Sequence, residues 1–133
     1  MEIYKDEFIQ FLHDKDNSII SFHWSENTER IIEYKYKSLL TKGLELLKKH
    51  PSKYLISDHK QQKFVVVPKL QEWVATEILP NIFKYGIVKY AIIESEEVVF
   101  QLATEMTIEE DEKKRYDVRF FDSIDKAKKW FNE

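Results

Sequence analysis

The run YLISDHKQQ, residues 54–62, holds the two neighbours best suited to chemistry, because a short apolar stretch stops abruptly at Asp58 and His59. A carboxylate beside an imidazole is the raw material of an acid/base pair. On an extended chain, however, adjacent side chains point to opposite faces, which separates the two groups. A catalytic reading therefore needs a further group that displaces the His59 pKa by its charge. A second reading makes the pair part of a binding surface, since ligands of open α/β sheets collect at the C-terminal ends of parallel strands. The third reading is structural and leads: Asp58 accepts hydrogen bonds from amides of its own loop, as aspartate does in turns.

Other reactive side chains add little. The four histidines, His13, His23, His50 and His59, show no paired-ligand spacing, and there is no cysteine to serve as thiolate, metal ligand or disulfide. No metal or other cofactor is expected. Glycine-rich phosphate loops, GxSxG and HExxH are all missing from the sequence, which removes the common nucleotide, hydrolase and zinc-protease readings. No catalytic set is assigned, and the chain is read as a non-enzyme. Lys60, Lys63 and Lys69 with Gln61 and Gln62 form a mildly cationic loop ahead of a helix N-terminus. Trp73 and Trp130 fit core positions, whereas Trp24 ends its strand beside SENTE and is expected to be partly exposed near Asp58. The candidate binding residues are Asp58, His59, Lys60, Trp24 and Gln71.

The elements that position these residues follow from hydrophobic period and turn chemistry. Residues 2–13 and 18–24, rich in Ile, Phe, Trp and Tyr, flank DKDNS and predict a β-hairpin. In its second strand Ile20, Phe22 and Trp24 share one face and Ile19, Ser21 and His23 the other. From Glu29 to His50, Ile32, Tyr36, Leu39, Leu40, Gly43, Leu46 and Leu47 keep helical spacing, with Asn27 or Thr28 as N-cap and Pro51 as a stop. A strand at Tyr54–Ser57 follows. A helix then opens near Pro68 with Leu70, Trp73, Val74, Glu77 and Ile78 inward, and Pro80 should kink or break it before Gly86. Val88–Glu94 reads as a strand, Val98–Met106 as a short helix, although its VVF could also be extended, and 107–116 as a solvated helix end or loop. Asp117–Phe121 is the last strand. Ser123 or Asp122 then caps a terminal helix with Ile124, Ala127 and Trp130 or Phe131 inward.

That order, β-β-α-β-α-β-α-β-α, predicts one α/β domain over residues 1–133 with a mostly parallel sheet and an antiparallel N-terminal edge strand. Sequential strands joined by right-handed crossovers put every crossover helix on one face, so the other face is expected to be bare. The 133 residues, 43% of them apolar and 14% aromatic, suffice to fill one core. A net charge of −3 with interleaved signs argues against duplex nucleic acid. No run approaches the roughly 20 apolar residues of a membrane span, and the charged start MEIYKDEFIQFL does not suit a signal peptide, so a cytoplasmic location is expected.

The element order, together with the strand-ending Asp of YLISD, LQEWV, LPNIFKYG between Pro80 and Gly86, AIIES and FFDSIDKAKKWF, resembles the small bacterial STAS-like proteins over nearly the whole chain. These group with the anti-sigma-factor antagonists in a SpoIIAA-like fold, a short superhelix of β-α turns. The resemblance implies protein-protein regulation, in which a serine at the start of the helix after the third strand is phosphorylated. Here that loop, DHKQQKFVVVPKLQ, contains neither serine nor threonine, so the switch does not carry over. The expectation is a regulatory interaction module of STAS-like type. It would engage a protein partner, or itself as a homodimer, through the bare sheet face and a rim at Trp24 and Asp58. The alternative is a small-molecule or lipid-binding protein, its pocket beneath the kinked second helix and lined by Trp73, Ile78, Ile82 and Phe83.

Overall fold

A computed structural model describes residues 1–105 and 116–133. Six strands form one sheet in sequence order: β1 (Glu2–Lys5), β2 (Ile9–Asp14), β3 (Ile19–Trp24), β4 (Tyr54–Asp58), β5 (Lys89–Ile93) and β6 (Val118–Phe121). The first three strands are antiparallel to their neighbours and the pairs from β3 to β6 are parallel. The expected first strand of the hairpin is in fact two. Asp6 interrupts it, its Oδ1 accepting from the Phe8 and Ile9 amides at 2.8 and 3.0 Å, a local turn that side-chain carboxylates readily close.

A 3₁₀ turn at Glu26–Arg30, capped by Ser25, precedes α1 (Glu33–Lys49). The single helix expected from Glu29 is thus split, its N-cap is neither Asn27 nor Thr28, and Ile32 is exposed rather than inward. Its buried stripe of Tyr36, Leu39, Leu46 and Leu47 lies against the sheet. The second crossover runs through α2 (Pro68–Trp73), a π-helical segment (Val74–Ile78) and α3 (Leu79–Lys84). Pro80 neither breaks nor stops this helix. Proline has no amide proton and crowds the preceding turn, and the helix widens just ahead of it, where the Leu79 amide bonds the Val74 carbonyl five residues back. Asn81 Nδ2 donates to the Glu77 carbonyl at 2.7 Å, supplying a partner at the widened turn. Glu77, expected inward, is exposed. Gly86, with φ of 113°, ends α3 in a conformation that L side chains resist.

Helix α4 (Glu96–Glu105) agrees in type with the expected short helix, while the reading of 107–115 lies outside the described residues. The terminal helix α5 (Ile124–Phe131) is capped by Ser123, whose Oγ accepts from the Lys126 amide.

Two cores flank the sheet. Helix α1 and the α2–α3 run bury Phe11, Ile20, Phe22, Trp24, Leu55 and Tyr90 on one face, as one-sided crossovers require. The other face is not bare. Helix α5 follows the last strand, is no crossover, and folds back beneath β4–β6, where Ala127, Trp130 and Phe131 meet Ile19, Ile56, Ala91 and Ile93.

Candidate functional site

Strand alternation sends Asp58 and His59 to opposite faces, as an extended chain demands. Asp58 pairs across β3 and β4 with His23, whose Nδ1 lies 3.0 Å from Oδ2. The other ring nitrogen of His23 is 3.2 Å from Ser21 Oγ. Asp58 Oδ1 accepts the Lys60 amide proton at 3.2 Å, the loop-closing bond of the structural reading. The hydrogen bond to His23, then that from Lys60, hold the Asp58 carboxyl below the usual range. Ser21, His23 and Asp58 have the connectivity of a hydrolase triad. Their strands are interior ones whose amides are engaged in ladders on both sides, so the strands themselves supply no free N–H to stabilise an oxyanion.

His59 turns to the helix-covered face. Its Nε2 contacts Ser57 Oγ, its Nδ1 stands 3.5 Å from Glu94 Oε1, and its ring faces Phe22. Burial lowers its pKa to about 4, with the Asp58 charge opposing the shift. The catalytic reading required displacement by a neighbouring charge; desolvation is instead the larger cause, and the neighbouring charge opposes it. Burial, then the Asp58 charge, raises the Glu94 carboxyl. At neutral pH the His59 imidazole is therefore uncharged and a weak base, suited to hydrogen bonding more than to proton abstraction.

Ser57 and His59 border an apolar cavity of about 280 Å³ between the sheet and the α1 and α2–α3 helices. Its floor is Ile20, Phe22, Leu55 and Ile92, and its roof comes from Leu47 of α1, Val74 and Ile78 of the π segment and Ile82 of α3. The roof position of the π segment links the cavity to Pro80: a widened turn displaces the residues that would otherwise press onto the strands. Gly43 also borders the cavity, and a Cβ there would sit 3.3 Å from the Phe11 ring, so its lack of a side chain lets α1 approach β2. Exposed Gln71 and Ala75 stand at the rim.

Trp24 corrects the sequence expectation. It is only 3% exposed, forms part of the cavity wall, stacks on Tyr36 at 5.2 Å, and shares no rim with Asp58. The strand does end at Trp24, but its period places the ring on the helix-covered face with Ile20 and Phe22. Its buried Nε1 has no hydrogen-bond partner among the described residues. Of the four residues expected to line a pocket, Ile78 and Ile82 do so; Trp73 lies under the Lys37 ammonium and Phe83 stacks on Tyr116 instead. Lys60 is exposed, and Gln71 Nε2 donates to the Val66 carbonyl at 2.9 Å. The candidates thus divide into Trp24, His59 and Gln71 at the cavity and Asp58 on the opposite face. Among the described residues no three His, Cys, Asp or Glu side chains gather as metal ligands, although folding does bring the His13 and His50 rings to 5.0 Å.

No family model, curated protein or solved structure matches the chain. The wall residues from β2, β3, β5 and α1 could not be found by motif. Each reads as ordinary core, and the space between them has no sequence signature.

Proposed function

We propose that this protein, a STAS-like module, binds a small apolar molecule in the cavity and acts through binding rather than catalysis. The cavity itself carries the reading: close-packed interiors contain few voids larger than a water molecule, whereas this one is about 280 Å³ and walled almost wholly by apolar side chains. An apolar cavity of about 150 Å³ accommodates benzene, so nearly twice that volume suits a ligand of roughly ten to twelve non-hydrogen atoms. A two-chain lipid is too large.

The docking alternative has less to stand on. The sheet face meant to meet a partner carries α5 over three of its strands, and Trp24 is absent from it.

1-Naphthylamine, a dye of about eleven non-hydrogen atoms that is uncharged at neutral pH and whose emission shifts in apolar surroundings, is the test. Saturable one-to-one binding is expected, and Ala75→Trp, a change at the exposed rim, should weaken it at least about tenfold, equivalent to about 1.4 kcal/mol. Dye fluorescence that never saturates, or that ignores the rim substitution, would remove the reading.

A further inference from the structure

We infer that Ser21, on the sheet face opposite the cavity, is a nucleophile activated by His23, and that it takes a single acyl group from an ester or thioester with a good leaving group.

The hydrogen-bond chain is the first support. Asp58 Oδ2 lies 3.0 Å from His23 Nδ1, and His23 Nε2 lies 3.2 Å from Ser21 Oγ. The hydrogen bond to His23 is the main cause holding the Asp58 carboxyl below its usual range, against burial, so at neutral pH Asp58 is ionised and acts only as an acceptor. The neutral His23 ring then carries its proton on Nδ1, which leaves the Nε2 lone pair to accept from the Ser21 hydroxyl. In that arrangement a serine loses its proton as it attacks. Register creates it: Asp58 stands beside His23 across the β3–β4 ladder, and alternation puts Ser21 two residues earlier on the same face.

Access is the second. Ser21, His23 and Asp58 are all half-buried, and Ser21 and His23 line an open groove of about 910 Å³ on the α5 side of the sheet. Because the Ser21 backbone is paired on both edges, the part of it that meets solvent is the side chain. Leu12 and Ile56 flank Ser21 on the neighbouring strands, and with Ile124 of α5 they give the groove an apolar seat for an acyl chain. Lys128, one turn along from Ile124, brings an ammonium to the same groove, where it can oppose negative charge developing on the acyl oxygen.

The step is one transfer. Ser21 Oγ bonds to the acyl carbon as its proton passes to His23 Nε2. The bond from that carbon to the leaving oxygen or sulfur breaks, and the Nε2 proton goes to the departing anion. With no strand N–H free to hold an oxyanion through a second attack by water, the acyl-serine is the end product and turnover does not follow.

Reaction with 4-nitrophenyl acetate at neutral pH, followed by peptide mass mapping, tests this. Ser21 should be acetylated at least about tenfold faster than Ser38, an exposed serine of α1. His23→Gln should slow Ser21 by about tenfold or more while lysine acetylation on the same protein stays within about twofold. Asp58→Asn, which no longer fixes the tautomer, should slow Ser21 similarly, and Asp58→Glu should restore part of the rate. The ratio of Ser21 to Ser38 is read on the natural protein, so the test stands if a variant folds poorly. No acetyl group on Ser21, a rate no faster than that of Ser38, or a rate indifferent to His23→Gln would overturn the inference. Dye binding does not enter this readout, so such a failure leaves the cavity reading standing.

Discussion

Acidification should unfold this protein in a way that depends on His59. Its side chain is 22% exposed, contacts Ser57, and faces Phe22 and the Glu94 carboxylate, with Asp58 the adjacent charge. Its folded pKa of about 4 lies below the ordinary 6.5, so the unfolded chain takes up a proton that the folded one refuses. Stability from this group is therefore complete above about pH 6.5 and is lost as the pH falls toward the folded value. Comparing the two proton-binding factors gives a loss of roughly 2 kcal/mol at about pH 5 and almost none at about pH 7. Asp58 does not blur this window, because its lowered carboxyl pKa matters only below its ordinary 3.8. Glu94, raised above its ordinary 4.5, begins to protonate within the window and offsets part of the loss. His13, also lowered by burial and by the nearby His50, adds a loss of the same sign. Urea denaturation of the natural protein and of His59→Gln at both pH values isolates the His59 share, since the other groups are common to both. The natural protein should lose up to about 2 kcal/mol more than the variant on acidification. Equal losses would refute the desolvation of His59.

Two further substitutions test how the cavity is built. Pro80→Ala restores an amide proton and removes the crowding that the π segment accommodates, so it should stabilise the protein by about 1 kcal/mol in thermal melts and weaken dye binding as the turn tightens. Trp130→Ala removes the ring that α5 packs against Phe121, with Lys89 and Arg119 over it. A loss of about 3–5 kcal/mol is expected on unfolding, yet dye affinity measured on the folded fraction should stay unchanged, because the cavity lies across the sheet.

The strands and their faces were legible because side-chain alternation is a local property. Ile20, Phe22 and Trp24 read correctly as one row, Ala127 and Trp130 as part of the stripe of the last helix, and Ser123 as one of its two candidate caps. What failed depended on events outside the local pattern. Asp6 cuts the first strand through a side-chain bond that the apolar period around it conceals. Pro80 signalled a disturbance correctly, but a π turn resolves it as cheaply as a break, and sequence does not distinguish the two. The bare face was inferred from crossover handedness, a rule that is silent on a terminal helix with no strand to follow. Trp24 was assigned to a rim from its position at the strand end, although its period already placed it beneath the helices. Asp58 and His59, adjacent in sequence, became two sites because each finds its partners on a different face.

The most direct measurement is nuclear Overhauser contact between bound 1-naphthylamine and assigned methyl groups. Contacts to Leu47, Val74, Ile78 and Ile82, which surround the cavity, are the expected result. Contacts confined to Ile19, Ile56 and Ile124 on the α5 side would contradict the account, because they would place the ligand on the opposite face of the sheet.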